Sequence, residues 1–255
     1  MKTLKLTVLG LLLAFASASS FAQTADEIIG KYIKNIGGAD KLKALKGIKM
    51  NMVTNYGGME LPVEMVELAG GKKYVKINLQ GKEITQMASD GATMWSTNFM
   101  TMSAEKSDAE NTANAMLSNA DFPEAMLDYK AKGYSAEFVG KETKEGTECL
   151  KVKFTKKPVK VDGVQTDDVS YYYFETENFL PIATEQEIKS GPMKGQKAVS
   201  TMSDYQEVDG LYFPFAMNSG GQDLKVKKIT LNPVIEDSAF AFPAPAQTTA
   251  EPAKK

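Results

Sequence analysis

Few side chains in this sequence could carry chemistry, and those few are poorly set for it. Ser103 and Lys106 have the Ser-x-x-Lys spacing in which a lysine amine can take the proton of a serine nucleophile. No Lys-Thr-Gly accompanies them, and a serine ahead of helix-forming sequence ordinarily serves as an N-cap. Glu64 with Glu67, and Asp167 with Asp168, come nearest to paired carboxylates. Each pair lies among lysines in strand or loop sequence, where charge is simply solvated. The only cysteine, Cys149, opens an alternating apolar stretch and is expected to be packed and inert. Histidine is missing altogether. That removes the commonest general base, every Ser-His and Cys-His pair, and the commonest metal ligand. There is no Gly-x-Ser-x-Gly elbow and no phosphate-binding glycine loop. The expectation is a chain with no catalytic residue, no metal and no cofactor, and not an enzyme.

All 30 basic residues are lysine, set against 32 acidic ones. The N-terminus combines Lys2 and Lys5, an uncharged apolar run over 6–16, and Ser20-Phe21-Ala22 in small-x-small order. This is the pattern of a secretory signal peptide, residues 1–22. Its apolar run is shorter than the roughly 20 residues that cross a bilayer. Cleavage takes the formal charge from −2 to −4, since 28 lysines then face 32 acids. Mild acidity of this kind excludes the dense basic patches that bind nucleic acid. The expected fate is export, with later membrane association left open. With one cysteine an exported chain has no internal disulfide, so its stability must come from its core. Residues 23–243 are long enough for a single sizeable domain, and "APAQTTAEPAKK" over 244–255 reads as a disordered tail.

The elements that would position any site follow from periodicity. Thr24-x-x-Glu27 is a capping box, and Ile28, Ile29, Tyr32, Ile33 and Ile36 make one helical face that ends at Gly37-Gly38. "ADKLKALKG" is a second, short helix. From Ile48 the period becomes two, with turns at Gly57-Gly58, Gly70-Gly71, Asp162-Gly163 and Asp209-Gly210. The segment 99–133 breaks the series and reads as one or two inserted helices, with Pro123 in a first turn. The sum is a mainly β, α+β chain: about 11–12 antiparallel strands in a curled sheet, apolar on one face, with a few helices covering that face. Methionine and aromatic side chains would make a soft apolar lining. From the first half it would draw Met50, Met52, Ile77, Met87, Trp95 and Phe99. Met116, Leu117 and Met126 would come from the insertion, and Val152, Phe154, Tyr171 and Tyr173 from the middle strands. Leu211, Phe213 and Phe215 would complete it, with Pro214 marking a strand edge or bulge.

The stretches "IIGKYIKNIGGADKLKALKGIKM", "DGATMWSTNF", "SDYQEVDGLYFPF" and "KKITLNPVIEDSAFAFP", in that order, resemble the outer membrane lipoprotein-sorting proteins, relatives of LolA and LolB. The resemblance covers about 24–243 and rests on order and spacing rather than on any catalytic motif. It implies a half-open antiparallel barrel with helices as a lid over its concave side. The implied function is a periplasmic carrier that holds the acyl chains of lipoproteins, or phospholipid or other lipid, and helps sort them to the outer membrane. Transient inner- and outer-membrane transport proteins would be its partners, and the carrier a monomer. The alternative is a non-catalytic lipid or lipoprotein sensor of an envelope stress response. LolA-type carriers tie the lid with an arginine inside the barrel, and this chain has none. Its closed lid must be held another way, by packing of Met116, Leu117 and Met126.

Overall fold

Period-two alternation does build one sheet. In the computed structural model, which describes residues 24–243, the chain begins with α1 (Ala25–Asn35) and α2 (Ala39–Ala44). Six strands follow: β1 (Gly47–Tyr56), β2 (Met59–Leu68), β3 (Lys72–Leu79), β4 (Lys82–Asp90), β5 (Met94–Asn98) and β6 (Ser103–Lys106). A strap made of α3 (Ala109–Leu117), a 3-10 turn (Ser118–Asp121) and a run of turns leads to the second group. That group is β7 (Ser135–Lys144), β8 (Thr147–Val161), β9 (Val164–Glu175), β10 (Pro181–Glu187), β11 (Lys197–Val208), β12 (Leu211–Ser219) and β13 (Gln222–Leu231). All 13 strands form one antiparallel sheet, ordered β6-β5-β4-β3-β2-β1-β13-β12-β11-β10-β9-β8-β7. The sheet does not close, and β6 and β7 are its free edges. The expected signal peptide and C-terminal tail lie outside the described residues.

The sheet thus has one or two strands more than the 11–12 expected. One of them, β6, lies in sequence read as helical. It places Ser103 and Lys106 an odd number of residues apart on a strand, so their side chains leave opposite faces. Ser103 shares a 2.6 Å hydrogen bond with the Thr101 hydroxyl, and the Lys106 ammonium sits 5.1 Å from the Phe242 ring centre. Ser103 is therefore neither a helix cap nor a nucleophile paired with Lys106. No second α-helix forms after Pro123. Residues 124–134 close mainly short turns, and Asp128 takes a φ of +51°, which no α-helix tolerates.

Helices cover one face only. Ile28, Ile29 and Tyr32 of α1, with Ile36 at its C-cap, share a core with Leu150, Val152 and Phe154 of β8, Phe174 of β9, Leu211 of β12 and Ile229 of β13. The capping box forms as expected, Thr24 and Glu27 each taking the other's backbone N–H. At the far end of α1 the chain turns through Gly37, where a Cβ would lie 2.4 Å from the Gly210 carbonyl. This close approach lets the Tyr212 N–H donate to the Ile36 carbonyl at 3.0 Å. Asp209 and Gly210 both adopt left-handed φ, the two-residue turn that suits a hairpin's twist.

That docking explains Pro214. It lies in an interior strand, not at the sheet edge, but β12 pairs with β13 only over 216–219. The stretch 211–214 pairs with β11 alone, so Pro214 faces a local gap in the ladder.

The outer face of β2–β6 carries a second, smaller core. Val66, Tyr74, Ala88 and Trp95 pack beneath Phe240, which arrives on the segment after β13. The Trp95 indole donates to the Phe240 carbonyl at 3.1 Å. Truncating this fully buried ring, Phe240→Ala, is expected to cost about 3–5 kcal/mol, read as a lower urea midpoint.

Candidate functional site

The inner face divides into two regions. Over β8 and β9 it is plugged. Tyr32, Phe174, Tyr172, Phe154 and Tyr134 stand in a chain of ring contacts with centroids 5.5–6.1 Å apart. Met126 and Leu127 close over them, both buried. Over β11–β13 and β1–β4 the cover is uneven: Ile48, Met52, Val63, Leu211, Val226 and Ile229 are buried, but a second set of inner side chains is only partly covered. Met50, Met65, Val75 and Ile77 on one side, and Phe213, Phe215, Met217 and Leu224 on the other, pack against the core while remaining half-buried. Met87 lies opposite Val75 and shares its face. These residues wall an apolar trough, with Met52 and Val63 at its floor.

The residues proposed from sequence fall into four groups. Met50, Met52, Ile77, Met87, Leu211, Phe213 and Phe215 are on the inner face along the trough. Val152, Phe154 and Met126 are also inside, but in the plugged region and almost wholly buried. Trp95, Tyr171 and Tyr173 point outward, contrary to expectation. Tyr173 packs with Cys149, Ala183 and Tyr171 on the outer face, beneath the ammonium groups of Lys144 and Lys151 at 4.9 and 5.2 Å. Its neighbours Tyr172 and Phe174 face inward in its place. In a run of four aromatics either set could be the inner one, and pairing decides it: Leu150 opposes Phe174 and Val152 opposes Tyr172. Phe99 is exposed at a hairpin tip, while Met116 and Leu117 lie on a helix with no buried residue.

Since α3 has no fully buried residue, polar bonds anchor this part of the strap. The Glu110 carboxylate accepts from the backbone N–H groups of Asp162 and Gly163, at 2.9 and 2.8 Å, in the β8–β9 turn. Asn114 exchanges two hydrogen bonds with the Lys160 backbone. Beyond the helix, the 3-10 turn touches both walls of the sheet. Asn119 donates to the Gly91 carbonyl at 3.4 Å and lies against Gly71, where a Cβ would sit 2.1 Å from its amide. Two residues on, Asp121 accepts from Lys156 of β8 at 2.9 Å and from the Tyr134 hydroxyl at 2.8 Å. Lys156 also pairs with Asp168, which pairs in turn with Lys189. Burial disfavours the charge on Lys156, but Asp121 and Asp168 outweigh it and hold its pKa above the ordinary lysine value. The lid is therefore tied by a lysine and by carboxylate and amide bonds to backbone, not by packing of Met116 and Leu117. Only Met126 among the three packs as expected.

One ionisable group lies deeper. The Glu124 carboxyl accepts from the Tyr32 hydroxyl at 2.8 Å and from the Met126 N–H at 3.0 Å, joining α1 to the strap. The residue as a whole is half-buried, but its carboxyl is enclosed, and burial raises its pKa despite these two donors. No sequence signal distinguished Glu124 from the solvated acids around it. Among the described residues no group of three His, Cys, Asp or Glu side chains is placed to hold a metal.

No protein-family model matches the sequence, and no curated protein does. Solved structures do match. A DUF1329 family protein from Desulfovibrio piger aligns at a TM-score of 0.51 and 16% identity, over 85% of this chain and 97% of its own. A LolA superfamily protein from Nitrosomonas europaea gives 0.51 and 14%, over 86% and 98%. The fold is LolA-like. An open antiparallel sheet with helices on one face is what the sequence resemblance implied, and at these identities the likeness concerns the fold.

Two outcomes are expected. Glu110→Ala with Asn114→Ala should raise amide exchange across Ala109–Leu117 about tenfold, equivalent to roughly 1.4 kcal/mol, while global stability stays nearly unchanged. For Glu124 the sign follows from its raised pKa. Between the ordinary value of 4.5 and the folded value, the native state holds a proton that the unfolded state has lost. This carboxyl therefore costs stability as pH rises through that window. Glu124→Gln should flatten the decline, and urea midpoints from pH 4 upward test it.

Proposed function

We propose that the protein is a non-catalytic periplasmic carrier whose trough holds acyl chains of lipoproteins or other lipids and moves them toward the outer membrane. The observation that carries this reading is the half-buried apolar wall of β1–β4 and β11–β13, left uncovered beside a strap fixed by polar bonds. A purely structural inner face would be sealed, as β8 and β9 are. The wall is rich in methionine (Met50, Met65, Met87 and Met217), whose flexible thioether adapts to chains of differing shape.

Magnitudes favour a trough over a shallow patch. Burying each CH₂ is worth about 0.8 kcal/mol, so a chain of roughly 14 methylenes gains on the order of 11 kcal/mol by leaving water. Cargo must also be released, so part of that gain has to be offset when the chain enters. Breaking the strap's bonds supplies such an offset. Glu110, Asn114 and Asp121 fix the strap beside the trough, and a chain that reaches under it must displace what they fix. Tied by lysine, the strap has a point-charge contact that can be remade at a shifted position more readily than a forked arginine pair.

Organic extracts of the gently purified protein, examined by mass spectrometry, should contain acylated material. Phe213→Glu should leave a folded protein whose affinity for a synthetic triacylated lipopeptide falls at least about tenfold. Clean extracts together with no lipopeptide binding by the wild-type protein would overturn the carrier reading. A stable protein partner captured by cross-linking would favour a sensor instead.

A further inference from the structure

Three neighbouring hairpins share a feature that the trough does not use. The turns β1–β2, β3–β4 and β5–β6 lie at the same end of the sheet, because the strands run antiparallel in sequence order. Each opens with an asparagine followed by a large apolar residue: Asn55-Tyr56, Asn78-Leu79 and Asn98-Phe99. In each, the asparagine carbonyl accepts turn N–H groups, from Gly58 at 3.0 Å, Gly81 at 2.9 Å and Met100 at 2.9 Å. The apolar side chain beside it is left in solvent, with Tyr56, Leu79 and Phe99 exposed by 62%, 37% and 49%. Met59, Met100 and Met102 in the same loops are exposed as well. The opposite end of these strands turns through Ala69-Gly70-Gly71 and Gly91-Ala92-Thr93, with no large apolar residue.

We propose that these three tips form a membrane-docking edge that enters the interfacial region of a lipid bilayer. Three observations favour lipid over a protein partner. First, asparagine already takes one turn N–H in β1–β2 and in β3–β4 and two in β5–β6, so fewer donors are stranded when the tips enter a medium of low dielectric. Second, the residues 55–60, 78–83 and 98–103 carry only Glu60, Lys82 and Glu83, so little charge has to be desolvated. Third, the edge continues the trough. Tyr56 lies four residues beyond Met52 on one face of β1, and Leu79 two beyond Ile77 on β3, so the inner wall runs out to the tips within about 13 Å. Turns at every second strand spacing place the tips about 10 Å apart, a front of roughly 20 Å. The next hairpin at this end, β12–β13, has the same asparagine-capped turn, with the Gly221 N–H donating to Asn218 at 3.2 Å. Serine follows that asparagine, so the apolar edge belongs to the β1–β6 half.

Flotation of the exported protein with phosphatidylcholine vesicles, with and without phosphatidylglycerol, tests this. The wild type should float with both equally, and about 0.5 M salt should not release it. The triple variant Tyr56→Ser/Leu79→Ser/Phe99→Ser should lose at least tenfold in partition coefficient, and each single variant a smaller share. The control Val139→Ser/Val234→Ser, which alters exposed apolar residues elsewhere, should match wild type. Lipopeptide binding in solution should survive the triple substitution, which separates docking from the carrier reading. The proposal is overturned by a wild type that does not float, by flotation that persists in the triple variant, or by binding only to anionic vesicles at low salt. A dimer that depends on the tips, seen by sedimentation velocity without flotation, overturns it as well.

Discussion

An open sheet of thirteen strands can keep one face dry only by curling around something, and everything else in this molecule follows from what is supplied. The amphipathic α1 and the inner end of the strap fill the side over β8 and β9, where rings interlock and little surface remains. Nothing of comparable bulk fills the other side. The segment that must connect the two free edges, β6 to β7, is obliged to pass across the mouth, and so becomes the strap. Its polar anchoring follows from that route. A helix laid across a mouth whose walls stand apart cannot pack on both, so hydrogen bonds to exposed backbone take the place of packing.

Much of this was legible in the residues. The capping box, the Gly37-Gly38 stop, the switch to period two at Ile48 and the Asp209-Gly210 turn each have a local cause and each appear as read. The sharp alternation of Leu150, Val152 and Phe154 against lysines fixed the inner face of β8 without help from its neighbours. Tertiary pairing governed what was misread. Tyr171 and Tyr173 are aromatic like Tyr172 and Phe174, and the lysines that roof them come from other positions in the sheet. Trp95 was drawn outward by Phe240, 145 residues further along the chain. The strap's anchors, Glu110, Asn114 and Asp121, are ordinary surface residue types whose partners are backbone groups or a distant lysine. No local pattern could have announced them.

The absence of arginine and histidine shapes the chemistry as well as limiting it. Every cation is a lysine, so every ion pair inside the mouth is a contact between a mobile ammonium and a carboxylate. The Lys156, Asp121, Asp168 and Lys189 cluster compensates by number for what each contact lacks in geometry.

The short ladder between β12 and β13 has a mechanical meaning. β1 and β13 are joined over seven residue pairs, but β12 and β13 over four, all toward the tip end of the strands. On one side of this seam the wall is stiffened from outside by the Phe240 segment, and on the other from inside by α1. The molecule is thus two braced plates joined by a narrow strip, with the α1–α2 turn wedged where the strip ends. Backbone bonding between the plates is narrowest at that strip, so the side-chain core beneath α1, which holds Leu211 and Ile229 together, carries the rest of the joint.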